Sequence, residues 1–96
     1  FCGHGVGKVF HDAPNVMHIA NKGTGPIMEE GMIFTIEPMI NIGRPDGIIL
    51  QNGWTAVTRD KSLSAQFEHS LAVTKDSYEV FTYSPKGMDK PPYKID

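Results

Sequence analysis

A β-dominated fold is what this sequence predicts, on three observations. Short stretches alternate apolar and polar residues with a period of two. Glycine and proline punctuate them. No window sustains the periodicity of an amphipathic helix, so any helices of the complete domain are expected mostly outside these 96 residues. That length allows one compact domain with a thin core.

The elements follow in order. Residues 1–11 are a glycine-rich opening that ends Lys8-Val9-Phe10-His11. Residues 12–31 carry Pro14, Gly23, Gly25, Pro26 and Gly31, and read mostly as loop. Met32 to Glu37 reads as a strand, with Ile33, Thr35 and Glu37 on one face and Phe34 and Ile36 on the other. Pro38 cannot donate to a ladder, which predicts an edge or a bulge there. Met39 to Ile42 is a further short strand, and Pro45-Asp46-Gly47 is a turn signal. Trp54 to Arg59 and Ser64 to Thr74 read as strands. The longer one sets Gln66, Glu68, Ser70 and Ala72 against Phe67, His69, Leu71 and Val73. Lys75-Asp76-Ser77 turns the chain into a closing strand, Tyr78 to Thr82. Residues 83–96, with Pro85, Pro91 and Pro92, read as an extended tail.

Composition excludes several functions. Nine Lys and Arg against 11 Asp and Glu give a net charge of −2, and the pI is about 6.1. An electrostatic nucleic-acid binder is usually clearly basic, so no DNA partner is expected. Cys2 is the one cysteine, which excludes an internal disulfide and a Cys-rich zinc module. Apolar runs such as Ile48-Ile49-Leu50 are far short of the roughly 20 residues of a spanning helix, so no membrane partner is expected. No signal peptide is visible. The chain starts at Phe1 and runs at once into its most specialised loop, so it is expected to be the C-terminal part of a longer protein.

Three residues stand out chemically. His4 lies between two glycines, which permit close backbone approach. Glu37 ends an apolar strand before a proline, and Glu68 sits mid-strand beside His69. A carboxylate in an apolar strand is costly unless paired or metal-bound. Taken singly, His4 also reads as a turn residue and each glutamate as a solvent-facing one. His11, His18 and His69 have surface or hydrogen-bonded readings, and Trp54 reads as core or rim. Taken together, two carboxylates and an imidazole match the ligands of divalent transition metals. Two cations about 3.5–4 Å apart can share a water, lower its pKa and polarise a carbonyl, and a ligand carboxylate can take the water's proton.

Other motifs fail. Gly3 to Lys8 is one residue short of a phosphate loop, and Val9 stands where Ser or Thr is needed. Gly3-x-Gly5-x-Gly7 lacks the dinucleotide spacing. There is no His-Glu-x-x-His and no Gly-x-Ser-x-Gly. Cys2 with His4 or His11 is a poor candidate nucleophile pair, since the side chains of residues i and i+2 in this extended loop are expected to point apart.

Four segments fall in one order: Cys2-Gly3-His4-Gly5-Val6-Gly7-Lys8-Val9-Phe10-His11, Gly31-Met32-Ile33-Phe34-Thr35-Ile36-Glu37-Pro38-Met39, Asn52-Gly53-Trp54-Thr55 and Ser62-Leu63-Ser64-Ala65-Gln66-Phe67-Glu68-His69. Order and spacing closely resemble the C-terminal half of type I methionine aminopeptidases, over residues 1–82. The resemblance implies an α+β pita-bread fold, a curved antiparallel sheet with flanking helices. It implies a cytoplasmic enzyme, near the ribosome, that removes the N-terminal methionine of peptides and nascent proteins. It implies metal ligands at His4, Glu37 and Glu68, with Glu37 also a proton shuttle and Glu68 bridging two ions of cobalt, manganese, iron or zinc. It implies that His11 hydrogen-bonds the scissile amide and that Phe10 and Trp54 line the methionine pocket.

The departure from that family is large. Its remaining two ligands are aspartates of the N-terminal half, as is a further substrate-handling histidine. Asp12, Asp46, Asp60, Asp76, Asp89 and Asp96 all read as turn or surface residues. The isolated chain is therefore expected to be inactive and poorly stable, and to need that half as partner. Alternatives are a related peptidase cleaving X-Pro bonds, a module that has lost catalysis, and a truncated product without function.

Overall fold

The structure, a computed structural model, describes residues 1–89. Of the tail expected over 83–96, residues 90–96 lie outside the described residues. Regular structure among the described residues consists of short strands: β1 (Gly3–Gly5), β2 (Asp12–Val16), β3 (Ile33–Ile36), β4 (Met39–Asn41), β5 (Gly47–Ile49), β6 (Ala56–Thr58), β7 (Ser64–Gln66), β8 (His69–Val73) and β9 (Tyr78–Val80). Five form one antiparallel sheet in the order β2-β1-β3-β8-β9, while β4 pairs with β7 and β5 with β6.

The three ladders β3–β8, β4–β7 and β5–β6 are one long ribbon. Ile36 faces His69, Met39 faces Gln66, and Gly47 faces Thr58, so the register never shifts. Backbone bonds bridge the interruptions: Phe67 N donates to the Pro38 carbonyl at 3.5 Å, Ile42 N to that of Leu63 at 3.0 Å, and Arg59 N to that of Asp46 at 3.1 Å. The tip is closed by Leu50 N donating to Thr55 O at 2.7 Å. Asn52 Oδ1 accepts the amides of Trp54 and Thr55 at 3.0 and 2.9 Å, and Gly53 supplies the positive φ of 73°.

The second interruption is organised by Asp60. Its carboxylate accepts Arg44 N at 2.8 Å, and Ser62 N and Oγ at 3.1 and 2.6 Å. These donors, the Ser62 hydroxyl foremost, hold the Asp60 carboxyl at about 2, below its ordinary 3.8.

Constant register fixes the faces. Phe34, Ile36, Phe67, His69, Leu71 and Val73 line one side, an apolar groove of roughly 990 Å³ that also holds Val80 and residues of the 17–28 segment. Phe34 and Leu71, directly opposed, are the buried hydrophobics among the described residues. Thr35, Glu37, Glu68 and Ser70 take the other side, as the alternation predicts.

Several expectations are corrected. Ser64 to Thr74 is two strands rather than one, because Phe67 and Glu68 lie opposite the Glu37-Pro38 break. Pro38 lies where the ribbon is only two strands wide, an edge position as expected, and the unchanged register excludes a bulge. The glycine-rich opening contains β1, the segment read mostly as loop contains β2, and β5 starts at Gly47 of the turn signal. The surface reading of Asp12 holds, at the first position of β2. Trp54 precedes β6 and belongs to the tip turn. The flanking helices are not found among the described residues, where every regular element is a strand.

Candidate metal centre

The two glutamates meet because of the ribbon. With Ile36 opposite His69 and Met39 opposite Gln66, Glu37 falls opposite Glu68 at the first interruption. Strand β1 lies on the far side of β3 and brings His4 to the same face. His4 Nε2 stands 3.4 Å from Glu37 Oε1 and 3.8 Å from Glu68 Oε1. One ligand atom from each of the three lies within 4.8 Å of the others. The His4 and Glu37 side chains are 10% and 13% exposed and that of Glu68 46%, so the cluster is buried on two sides and open at Glu68.

Gly3 and Gly5 make this approach sterically feasible. A Cβ on Gly3 would land on the Thr35 carbonyl, and one on Gly5 on the Ala13 carbonyl. Any larger residue on either side of His4 would push β1 away from β2 and β3.

The neighbours fix each group. His4 Nδ1 lies 3.0 Å from the Gly5 carbonyl, which can only accept. Nδ1 therefore carries a proton, and Nε2 is the ring nitrogen that faces the carboxylates, the orientation of a metal-binding imidazole. Glu37 is held at both oxygens, Oε1 by the Thr35 hydroxyl at 3.1 Å and Oε2 by Gln66 Nε2 at 3.2 Å. Its backbone amide donates to His18 Nε2 at 2.9 Å. Among the described residues, His4 is the basic side chain that approaches either carboxylate. Two opposed carboxylates with an imidazole Nε2 facing them, and no Lys or Arg among the described residues paired with either, fit a divalent cation.

Other candidates sit at the rim or elsewhere. The His11 ring packs edge-on over His4, centroids 4.3 Å apart, and Phe10 packs against both, at 4.4 Å from His11 and 5.7 Å from His4. The structure thus brings His4, Phe10, His11, Glu37 and Glu68 together. Trp54 stands apart from them, 86% exposed at the ribbon tip. His69 points to the groove side, where its ring meets Thr82, Asp89 and Tyr83. Thr35 and Gln66, which brace Glu37, carry no sequence signal beyond the alternation that sets Thr35 and Glu37 on one face; the hydrogen-bonded reading of His18 holds, with the Glu37 amide as its donor.

Comparison with known proteins agrees with this chemistry. Residues 1–75 match the model of metallopeptidase family M24. The methionine aminopeptidase of Rickettsia prowazekii is 57% identical over 94 residues, 97% of this chain and 36% of that protein. Its crystal structure superposes with a TM-score of 0.83 at 56% identity, covering 86% of this chain and 34% of that one. The crystal structure of the Thermotoga maritima methionine aminopeptidase gives 0.80 at 39% identity, over 83% of this chain and 32% of that one. The chain thus spans about a third of the length of the curated relatives it matches.

Proposed function

The chain belongs to metallopeptidase family M24, and from that premise we propose that it forms part of a methionine aminopeptidase, removing the N-terminal methionine of peptides and nascent proteins. The observation that carries this reading is the cross-strand pair of Glu37 and Glu68 with His4 Nε2 at 3.4 and 3.8 Å. The names of the relatives support the choice of substrate.

His4, Glu37 and Glu68 would hold two divalent ions, of cobalt, manganese, iron or zinc, together with two aspartates of the N-terminal half. When bound, the metal pair supplies a water of lowered pKa and a polarised carbonyl. Glu37 takes the water's proton. Thr35 and Gln66 each donate to one of its oxygens, which would hold the carboxylate in place while it passes that proton to the departing amine. His11, above the His4 ring, donates a hydrogen bond to the scissile amide as charge develops. Phe10, packed on His4 and His11, would give the methionine thioether an aromatic wall, while Trp54, expected to line the same pocket, stands apart at the ribbon tip.

The N-terminal half is the required partner. It supplies the flanking helices of the pita-bread fold, which cover the apolar groove. The enzyme works in the cytoplasm, near the ribosome, where new N-termini emerge.

Methionine release from Met-Ala-Ser tests the reading. The full-length polypeptide with manganese should release methionine, chelator should stop it, and the 96-residue chain alone should release none. Cleavage of an X-Pro dipeptide in preference to Met-Ala-Ser would replace this substrate by that of a proline-cleaving relative.

A further inference from the structure

We propose that Thr35 is a positioning residue whose hydroxyl locks His4 and Glu37 into one arrangement for metal binding. This rests on the reading that those two residues are metal ligands. Thr35 is 2% exposed, the most deeply buried side chain described. Strands β1 and β3 pair at Gly5 and Phe34, with Val6 N donating to the Ile33 carbonyl at 3.1 Å. Continued, that register sets His4 opposite Thr35, where the His4 amide would ordinarily meet a backbone carbonyl.

Instead the His4 amide donates to Thr35 Oγ1 at 3.0 Å. An N–H can only donate, so the hydroxyl accepts there and spends its own proton on Glu37 Oε1, 3.1 Å away. The direction of both bonds is forced. One oxygen atom therefore ties the backbone of a ligand on β1 to the carboxylate of a ligand beyond β3. Gln66 grips the other Glu37 oxygen at 3.2 Å from an exposed position on β7. Thr35 differs in being buried and in contacting two ligands at once. Valine would keep the shape of the side chain and lose both bonds, while serine would keep both bonds and lose the methyl.

The test compares Thr35→Ser with Thr35→Ala in the full-length polypeptide. Both variants lack the methyl, so they differ in the hydroxyl alone. Calorimetric titration with manganese should show Thr35→Ala binding about 10–100-fold more weakly than Thr35→Ser, the usual effect of removing a ligand's supporting hydrogen bond. On Met-Ala-Ser, kcat should fall in parallel while KM changes by less than about threefold, since Thr35 does not touch substrate. Thr35→Val should resemble Thr35→Ala, with a melting curve as cooperative as that of the parent. Equal manganese affinity and kcat for Ser and Ala would overturn the proposal and leave Thr35 as packing. Manganese bound tightly by the parent without methionine release would remove the substrate reading, while the Ser-to-Ala ratio in affinity would still decide the role of Thr35. A parent that binds no manganese would overturn both.

Discussion

Two carboxylates set directly across an antiparallel ladder repel each other, at a cost of roughly 0.2–1 kcal/mol. Glu37 and Glu68 stand in that relation, and the repulsion is relieved when a cation lies between them. The sign of a substitution should therefore depend on metal. Glu68→Gln in the full-length polypeptide should raise stability by up to about 1 kcal/mol in chelator and lower it in manganese. Denaturant midpoints under both conditions check this, and the same sign in both would remove Glu68 from the metal site. Glu37→Ala should reduce kcat on Met-Ala-Ser by about 100-fold or more, the range of a lost general base. His69→Ala, whose ring turns to the groove side, should stay within a few-fold. Similar losses in the two variants would separate the chemistry from Glu37. His4, Glu37 and Glu68 were legible because a histidine between glycines and carboxylates in apolar strands are locally expensive. Thr35 and Gln66 were not, because each is ordinary where it stands and gains its role only through contacts made 2 and 29 residues away; His18 was legible as a hydrogen-bonded histidine, but not its partner 19 residues on.

At the level of elements, alternation made the strands around Phe34 and Leu71 readable, since each has one apolar face. It did not reveal β1 and β2, built from Gly-His-Gly and Asp-Ala-Pro-Asn-Val. Those are held by pairing with neighbours, and their composition carries no period. The constant register of the ribbon was equally hidden, because register arises between segments. Asp60 is the device that keeps it across the second interruption, and its titration should show this. Its folded value of about 2 lies below the ordinary 3.8, so the unfolded chain binds more protons than the folded one between those values. The Asp60 contribution is thus complete above that window and is lost as pH falls toward 2. A carboxyl resonance of Asp60 titrating near 2 in the full-length polypeptide, together with loss of slowed exchange at the Arg44 and Ser62 amides in Asp60→Ala, is the expected result. A midpoint near 3.8 would mean that the three hydrogen bonds do not persist in solution.

The whole molecule is long and thinly packed. Its radius of gyration is 15.7 Å, against about 12–13 Å for a compact domain of this length. Phe34 and Leu71 are the buried hydrophobics among the described residues, while Met17, Ile27, Phe67 and Tyr78, on the groove side, are 62–83% exposed. Two buried apolar side chains cannot offset the ordering entropy of a chain this long. An open apolar groove of roughly 990 Å³ is a surface that water leaves readily when a partner covers it. The isolated chain should therefore melt without a cooperative transition, bind the dye ANS and exchange most strand amides within minutes. Supplying the N-terminal half, in the full-length polypeptide or as a separate fragment, should abolish dye binding and slow exchange first at Phe34, Thr35 and Leu71, whose side chains are the most enclosed. The same addition should restore methionine release, since the proposed partner would both cover the groove and complete the ligand set. A sharp melt of the chain alone, with no dye bound, would mean that the groove closes without a partner and that stability and activity depend on the N-terminal half for separate reasons.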